Sequence, residues 1–344
     1  MRAVTYQEPG RVAVEERPDP EPLAPDDAVV RVDASGICGS DLHLYHGRIP
    51  IDPGFTLGHE YVGEVVAAGD GVTGVTVGDR VLGTFHTACG MCFFCRRGAF
   101  VKCDEGRVFG HGATLGSLQG TQAELALVPR ANLTLRRVPE GLSDGVALFA
   151  GDVMGTGYHA IAEAGLKAGD TCAVIGLGPV GLCAVLAATA GGASRVIAID
   201  TVADRLETAR AMGAEPVHAT DEDPRKAVKA ATEGRGVDVA VEAVGNPQAL
   251  DTACRLARKL GTVSVIGVYS TPVELHMGVA WIKNLSFVTG QANVMGHLDA
   301  VLALLSSGRV DVTPLLSREM SLDDAPEAYE AYANREALKI VLRA

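Results

Sequence analysis

Residues 171–200, TCAVIGLGPVGLCAVLAATAGGASRVIAID, decide the fold of the second half of the chain. An apolar run is followed by a glycine-rich turn, an apolar helical stretch and a second apolar run, RVIAID. This order predicts a βαβ unit of a doubly wound parallel sheet. Residues 171–194 carry no charge and could span a bilayer on length alone. Their glycines and their proline divide the stretch into separate elements, so we expect no membrane segment.

The glycines of the turn form a GxGxxG pattern, Gly176, Gly178 and Gly181, with Pro179 and Val180 inside it. The pattern alone is weak, but here it sits between a predicted strand and a predicted helix. Such glycines allow a tight turn and the close approach of a pyrophosphate, whose charge meets the helix N-terminus. We therefore predict that these five residues bind a dinucleotide.

Asp200 ends the next predicted strand, nineteen residues after Gly181. A carboxylate there accepts hydrogen bonds from the ribose 2′-hydroxyl and repels a 2′-phosphate, which favours NAD over NADP. Two alternatives stay open. Asp200 could only cap the following helix, and Arg205 could stack on the adenine or accommodate a phosphate.

The sequence pattern divides the chain into three parts. Residues 1–153 contain short β-branched runs separated by Gly, Pro and Asp, which is typical of a compact β-rich domain. Residues 154–290 alternate predicted strands with helical stretches and continue the parallel sheet; the strand runs are TCAVIG, RVIAID, VDVAVEAVG, GTVSVIGVY and LSFVTG. Residues 291–344 are expected to return to the first domain. The fold class predicted is therefore two-domain α/β.

Charge and composition exclude several classes of function. The 344 residues include 30 Lys and Arg against 42 Asp and Glu, a net charge of −12. Nucleic-acid affinity comes largely from basic patches, so no nucleic-acid partner is expected. The N-terminal MRAVTYQEPGRV has no apolar core of a signal peptide. These features predict a cytoplasmic protein that acts on a small molecule.

Four cysteines in residues 89–103, CGMCFFCRRGAFVKC, predict a metal site with the spacing C-x2-C-x2-C-x7-C. Four thiolates can close a tetrahedron around one Zn²⁺, and such a closed site is structural. Two disulfides fit poorly, because nothing marks the chain as secreted and so small a loop gains little from them. The lobe spans about residues 86–108, and its ligands are Cys89, Cys92, Cys95 and Cys103.

A second metal site is indicated by Cys38 in GICGSDLH and His59 in GHEYVGEV. A catalytic zinc needs about three protein ligands and an open position for substrate. Cys38 and His59 supply two ligands, and the third must come from elsewhere in the chain.

With these motifs, the chain resembles the zinc-dependent medium-chain alcohol dehydrogenases over essentially its whole length. The four-cysteine lobe, C-x-S-D-x-H, G-H-E-x-x-G-x-V, G-D-R-V and GxGxxG occur in the family's order. The resemblance implies a GroES-like catalytic domain, a Rossmann NAD-binding domain and two zinc ions per chain. It also implies reversible hydride transfer between a small alcohol and NAD⁺, since zinc lowers the pKa of oxygen bound to it.

The resemblance assigns the remaining ligands. Asp152 occupies a position where many members carry cysteine, as in the branch similar to secondary-alcohol and glutathione-independent formaldehyde dehydrogenases. Carboxylate oxygen is an acceptable zinc ligand. Glu60 is a fourth candidate that either coordinates when the fourth position is empty or withdraws when substrate binds.

Several neighbouring residues receive roles from the same resemblance. Ser40 and His43 match a relay that carries the alcohol proton through the nicotinamide ribose to solvent, and a histidine suits the exit end. Asp41 is expected to orient His59 through its second ring nitrogen. Lys339 aligns with a basic residue that reaches the cofactor pyrophosphate, the alternative being a surface lysine. Phe85 lines the substrate pocket or belongs to the core.

Three functional classes are compared. The favoured class is an NAD- and zinc-dependent alcohol dehydrogenase, with formaldehyde oxidation or dismutation and polyol or threonine oxidation as variants. A zinc-free reductase or an NAD(P)H-sensing binding protein would lack Cys38, His59 or Ser40. A structural scaffold would leave the paired GxGxxG and Asp200 unexplained. The resemblance also implies a homo-oligomer, a dimer through residues 285–290 (LSFVTG) or a tetramer.

Overall fold

The computed structural model describes residues 1–269 and 271–344, which form two compact units. The first unit comprises Met1–Asp152, Asn293–Ser307 and Val312–Ala344. The second comprises Val153–Ala292 and Gly308–Asp311. The short segment Gly308–Asp311 belongs to the second unit.

Strands and helices are numbered in chain order. The strands are β1 (Arg2–Glu8), β2 (Arg11–Glu16), β3 (Ala28–Gly36), β4 (Tyr61–Ala68), β5 (Arg80–Gly83), β6 (Leu125–Val128), β7 (Leu135–Arg137), β8 (Thr171–Ile175), β9 (Arg195–Asp200), β10 (Glu215–His218), β11 (Val237–Glu242), β12 (Ala257–Val265), β13 (Ser286–Thr289), β14 (Arg318–Ser321) and β15 (Ile340–Arg343). The helices are α1 (Asp41–Tyr45), α2 (Ala131–Thr134), α3 (Asp144–Leu148), α4 (Val153–Glu163), α5 (Pro179–Ala190), α6 (Ala203–Ala211), α7 (Pro224–Ala231), α8 (Pro247–Leu256), α9 (Met277–Lys283), α10 (Val294–Ser306) and α11 (Ala325–Ala333).

The second unit is built on a parallel sheet in the order β10-β9-β8-β11-β12-β13. The central strand β8 is buried along its whole length, as expected when helices cover both faces. Its core includes Ala173, Ile197 and Val263, and each fully buried Ile or Val contributes about 1.5–3 kcal/mol. The predicted doubly wound sheet is confirmed. β10 was not predicted, because the short sequence EPVH of this edge strand carries too little apolar pattern.

The glycine turn between β8 and α5 has the geometry that its sequence predicts. Gly176 adopts a φ of +89°, which favours glycine. Gly178 is the N-cap of α5 and Pro179 is its first residue, a position where proline is well tolerated. A Cβ on Gly181 would overlap the carbonyl oxygen of Gly176, so the helix can approach the turn only because this residue has no side chain.

The first unit contains a mixed sheet in the order β14-β15-β3-β4-β5-β7, with β6 also paired to β3. Its core includes Val30, Val65, Val81 and Phe109. The C-terminal β15 pairs antiparallel with β3, so the end of the chain belongs to this sheet. Among the described helices, none is both long and apolar enough to cross a membrane.

We expect Gly181→Ala to destabilise the nucleotide domain, because the new methyl group must displace α5 from the turn. Overpacking of this kind costs about 1–3 kcal/mol. Gly178→Ala is the matched control, since Gly178 has an extended φ of −65° and ψ of 178° and nothing lies within 4 Å of its missing Cβ. Thermal unfolding without cofactor should show a lower Tm for Gly181→Ala than for Gly178→Ala. Equal Tm values would contradict the close-packing argument.

Candidate active site and metal centres

The ends of three neighbouring strands, β3, β4 and β15, lie side by side in the first unit's sheet. The loops that carry Cys38, His59 and Glu60 adjoin these strand ends. Ser35 at the end of β3 pairs with Tyr61 at the start of β4, which places the loop after β3 beside the Glu60 end of β4. On the other side, Gly36 pairs with Val341 of β15. The Ile37 N–H donates to the Ile340 carbonyl at 3.1 Å. Segments distant in sequence are therefore fixed next to each other by backbone pairing.

The candidate catalytic ligands form a buried cluster. Cys38 Sγ lies 3.2 Å from Asp152 Oδ2, and His59 Nε2 lies 3.3 Å from the same oxygen. Glu60 contributes a fourth atom, and all four ligand atoms lie within 4.8 Å of one another. Donors at about 2.0–2.3 Å around a tetrahedral zinc are separated by roughly 3.3–3.8 Å. The cluster therefore fits a zinc ion.

Asp41 supports two of these ligands at once. Its Oδ1 lies 3.2 Å from His59 Nδ1, and its Oδ2 accepts a 2.9 Å hydrogen bond from the Cys38 backbone N–H. Asp41 is itself fully buried. Its contact fixes the His59 ring so that Nε2 faces the cluster, which is the usual arrangement behind a metal-binding histidine. The expected contact between Asp41 and His59 is present, and its orienting role stays a prediction.

Burial and charge together shift the ionisation of the cluster. Burial lowers the pKa of His59, but the charge of Asp41 and the contact with Asp152 outweigh it, so the pKa stands well above its usual value. Burial raises the pKa of Asp152, but the hydrogen bond and charge of His59 bring it well below the ordinary range. Burial and the Asp152 charge raise the pKa of Cys38. Without a metal these shifts favour a charged His59, a charged Asp152 and a neutral Cys38 thiol, so binding a metal would release protons from His59 and Cys38.

The two relay candidates lie at different distances from the cluster. Ser40 Oγ is 3.2 Å from His59 Nε2, so its hydroxyl lies at the candidate zinc site. His43 follows in α1, where its backbone N–H donates to the Ser40 carbonyl at 3.1 Å. The His43 side chain is half-buried, and burial lowers its pKa. The relay from Ser40 to His43 stays a prediction.

Lys339 is not the surface lysine that one alternative expected. Its side chain is fully buried rather than on the surface, so the surface alternative is wrong. Its ammonium forms an ion pair with Glu60 and donates to the Ile37 carbonyl at 3.1 Å. Its predicted contact with a cofactor pyrophosphate stays a prediction. The burial results from the β15 pairing, which carries Lys339 into the metal cluster.

Two histidines near the cluster received no role from the sequence. The His111 ring lies 5.2 Å from the His59 ring, and its Nδ1 is 2.9 Å from the Phe109 carbonyl oxygen. His86 is buried against Phe85, and burial lowers its pKa to about 4. Among the described residues, His86 Nε2 has no hydrogen-bond partner. Neither histidine belongs to a motif, so only the tertiary structure identifies them.

The four-cysteine lobe forms a second, separate cluster. All four sulphur atoms lie within 4.8 Å of one another and none forms a disulfide. The Cys89 backbone N–H donates to Cys103 Sγ at 3.2 Å. The backbone N–H of Cys95 is the main cause that lowers the pKa of Cys92 to about 7, which favours a thiolate. The arrangement fits a closed zinc site with four sulphur ligands.

The Asp200 carboxylate stabilises the glycine turn through hydrogen bonds to the backbone. It accepts hydrogen bonds from the backbone N–H groups of Leu177 at 2.6 Å, Thr201 at 2.6 Å and Val202 at 3.0 Å. Arg205 in α6 lies 4.0 Å from it. Asp200 therefore orders the turn and the following helix entry, in addition to its predicted contact with ribose.

Known proteins share this architecture. The model of the alcohol dehydrogenase GroES-like domain matches residues 24–140, and that of the zinc-binding dehydrogenase domain matches residues 179–307. Zinc-type alcohol dehydrogenase B of Aspergillus flavus is 37% identical over 100% of this chain and 81% of its own. The alcohol dehydrogenase TADH from Thermus sp. ATN1 is 46% identical, with a TM-score of 0.97 over 100% of this chain and 99% of its own.

A third relative carries a cofactor. A zinc-binding dehydrogenase from Sinorhizobium meliloti 1021, whose structure is bound to NADP, is 31% identical, with a TM-score of 0.88 over 100% of this chain and 99% of its own. These similarities extend over both units and include both zinc-type domain models. The chain therefore belongs to the zinc-dependent alcohol dehydrogenases of the medium-chain dehydrogenase/reductase superfamily, and is an alcohol oxidoreductase that uses zinc and a nicotinamide cofactor.

Proposed function

We propose that the chain transfers hydride reversibly between a small alcohol and NAD⁺, with Cys38, His59 and Asp152 holding a catalytic zinc. The observation that carries this proposal is the buried cluster, in which Cys38 Sγ and His59 Nε2 lie 3.2 Å and 3.3 Å from Asp152 Oδ2 and all ligand atoms lie within 4.8 Å of one another. When bound, zinc supplies a Lewis acid that lowers the pKa of a substrate hydroxyl. The Asp152 carboxylate carries the same formal negative charge as a cysteine thiolate. Its ligand atom is oxygen instead of sulphur.

The protein residues then position the substrate and remove its proton. Asp41 keeps His59 Nε2 directed at the cluster. The Ser40 hydroxyl, 3.2 Å from that nitrogen, would take up the alcohol proton while passing its own proton to the nicotinamide ribose. His43 lies about one helical turn further along the chain and is half-buried. Its imidazole would release the proton to solvent.

We propose a second zinc in the lobe, giving two per chain. The four cysteines form a closed sulphur site without room for substrate, so the role of this zinc is structural. The lobe packs on Met295 of α10, and Asn293 donates to the Gly98 carbonyl at 2.7 Å. The described cysteines are all free, which agrees with a cytoplasmic location.

NAD is proposed as the preferred cofactor. Asp200 ends β9 and places a negative charge where NADP carries its 2′-phosphate. Arg205 supports use of NADP instead, because its guanidinium lies near the same carboxylate and could accommodate the 2′-phosphate. Direct comparison of the two cofactors decides between them.

A diol or hydroxy-substituted alcohol is a second candidate substrate, favoured by one observation. His86 Nε2 is buried without a hydrogen-bond partner among the described residues, and Asp152 influences its pKa. A buried imidazole nitrogen left unpaired costs free energy. A second hydroxyl group on the substrate would supply that partner, as in sorbitol, 2,3-butanediol or threonine.

The main test is cofactor reduction followed at 340 nm with NAD⁺ and NADP⁺. The substrates are 2-propanol, ethanol, benzyl alcohol, formaldehyde, 2,3-butanediol, sorbitol and threonine. We expect turnover with NAD⁺, its loss on chelation and its return with zinc. Metal analysis should give about two zincs per wild-type chain and about one for Cys38→Ser, consistent with the ligand rules. A Cys38→Ser protein that retains both zincs would contradict the assignment.

We expect Ser40→Ala to lower kcat by about 10²–10⁴-fold, the usual contribution of a positioned proton acceptor. Zinc content and NAD⁺ affinity should not change, since Ser40 is not among the proposed ligands. Ser40→Thr, which keeps a hydroxyl group, is the matched control and should retain more activity. Unchanged kcat in Ser40→Ala would exclude the relay.

We propose a homo-oligomer formed through the edge strand β13 and helix α9. Trp281 is 77% exposed and Ile282 71%, and Phe287 in β13 is also exposed. β13 ends the sheet, so its outer backbone groups can pair with a second copy. Trp281→Glu should lower the mass measured by light scattering, whereas Val77→Glu, a matched change at an exposed residue of the first unit, should not. A monomeric wild-type protein would contradict this proposal.

A further inference from the structure

Gln122 is a fully buried residue that joins the two loops carrying Cys38 and His59. On one side, its backbone N–H donates to the Leu57 carbonyl at 3.0 Å, two residues before His59. On the other side, its side-chain Nε2 donates to the Gly36 carbonyl at 3.0 Å, two residues before Cys38. One residue therefore holds both ligand loops at a fixed separation.

The same amide faces the carboxylate of Asp41, which contacts both ligands. Gln122 Nε2 lies 3.5 Å from Asp41 Oδ2, the oxygen that also accepts the 2.9 Å hydrogen bond from the Cys38 backbone N–H. Asp41 Oδ1 lies 3.2 Å from His59 Nδ1. A distance of 3.5 Å is longer than an ordinary hydrogen bond, but the amide hydrogens still present positive charge to a carboxylate without contact with water. Gln122 therefore supports Asp41 as well as the loop backbone.

Tyr329 of α11 completes the hydrogen bonds of this amide. Its hydroxyl is fully buried and donates to Gln122 Oε1 at 2.7 Å. The amide nitrogen must face Gly36 and Asp41, because a carbonyl and a carboxylate only accept hydrogen bonds. The amide oxygen then faces Tyr329, the hydroxyl that can donate to it. Without that hydroxyl the oxygen would be a buried acceptor without a donor, which is costly, so the amide would give up this position.

Dense packing holds both members of this pair in place. A Cβ on Gly58 would overlap Gln122 Cγ, so the glutamine side chain fills the space that this glycine leaves. The centre of the Tyr329 ring lies 5.4 Å from that of the Tyr45 ring, and both rings belong to one buried apolar core. Helix α11, close to the end of the chain, thereby reaches the metal-ligand loops through a series of buried polar contacts.

We propose that Gln122 and Tyr329 are positioning residues that hold the Cys38 and His59 loops in the geometry that binds the catalytic metal. Gln122 acts through the Gly36 carbonyl and Asp41, and Tyr329 acts through Gln122. The inference rests on the proposed catalytic zinc site and deepens it. It adds to the site two residues that belong to no motif of the sequence.

The test measures the affinity of the full-length protein for Co²⁺, titrated against a chelator and followed by the visible spectrum of thiolate-bound cobalt. Cys38→Ser, which lacks a proposed catalytic ligand, gives the spectrum of the four-cysteine lobe alone. Gln122→Met keeps the side-chain length without polar atoms and should lower the affinity by about 10–100-fold, the usual range for residues behind a metal ligand. Tyr329→Phe removes one hydroxyl and should lower it by about 3–10-fold, as expected for one hydrogen bond.

A double variant separates positioning from general damage. If Tyr329 acts through Gln122, Tyr329→Phe changes nothing further in a protein that already carries Gln122→Met. The double variant should therefore bind Co²⁺ as Gln122→Met does. Tyr61→Phe is the matched control, since Tyr61 is similarly buried and its hydroxyl has no hydrogen-bond partner in the part of the chain that the structure describes. It should bind Co²⁺ as the wild-type protein does.

Equal cobalt affinity in Tyr329→Phe and Tyr61→Phe would overturn the proposal, and this comparison decides alone if Gln122→Met does not fold. Additive losses in the double variant would show that Tyr329 acts independently of Gln122 and would also overturn it. A wild-type protein with the same cobalt spectrum as Cys38→Ser would instead overturn the proposed catalytic site.

Discussion

The pairing of β15 with β3 is the interaction on which the metal centre depends. It joins the last strand of the chain to a strand that begins at Ala28, with Val341 opposite Gly36. On the other side of β3 lies β4, so three strand ends meet at one edge of the sheet. Backbone hydrogen bonds at this edge hold the metal-ligand loops at fixed separations. Side chains from four distant segments can therefore share a small buried volume.

Buried charge is the second constraint on this centre. Cys38, Glu60 and Asp152 are anionic or acidic groups with little or no contact with water. The Lys339 ammonium and the His59 ring beside Asp41 offset part of this charge, and a metal bound to the cluster would offset more of it. Because desolvated charges are costly unless paired, each of these groups has a narrow range of allowed positions. The same constraint pairs the buried Glu60 carboxylate with the Lys339 ammonium.

The two candidate metal sites illustrate different routes from sequence to structure. The four-cysteine lobe is local, with all its ligands inside 89–103 and turns that return the chain after a few residues. Spacing alone predicts its ligands, because four thiolates so close in sequence can reach one ion. The catalytic cluster draws on residues 38, 59, 60 and 152, which no local pattern joins. Its third ligand came only from the family resemblance.

The sequence by itself determined the parallel sheet, the glycine turn and the candidate ligands of the four-cysteine lobe, because apolar periodicity, glycine geometry and cysteine spacing act over a few residues. It did not determine the edge strand β10, the burial of Lys339 or the positions of His86 and His111. Those depend on contacts between segments far apart in the chain, as between Lys339 and Ile37, 302 positions away. Only the tertiary structure decided that Lys339 faces Glu60, because strand pairing, rather than any local preference, fixes where a buried charge must find its partner.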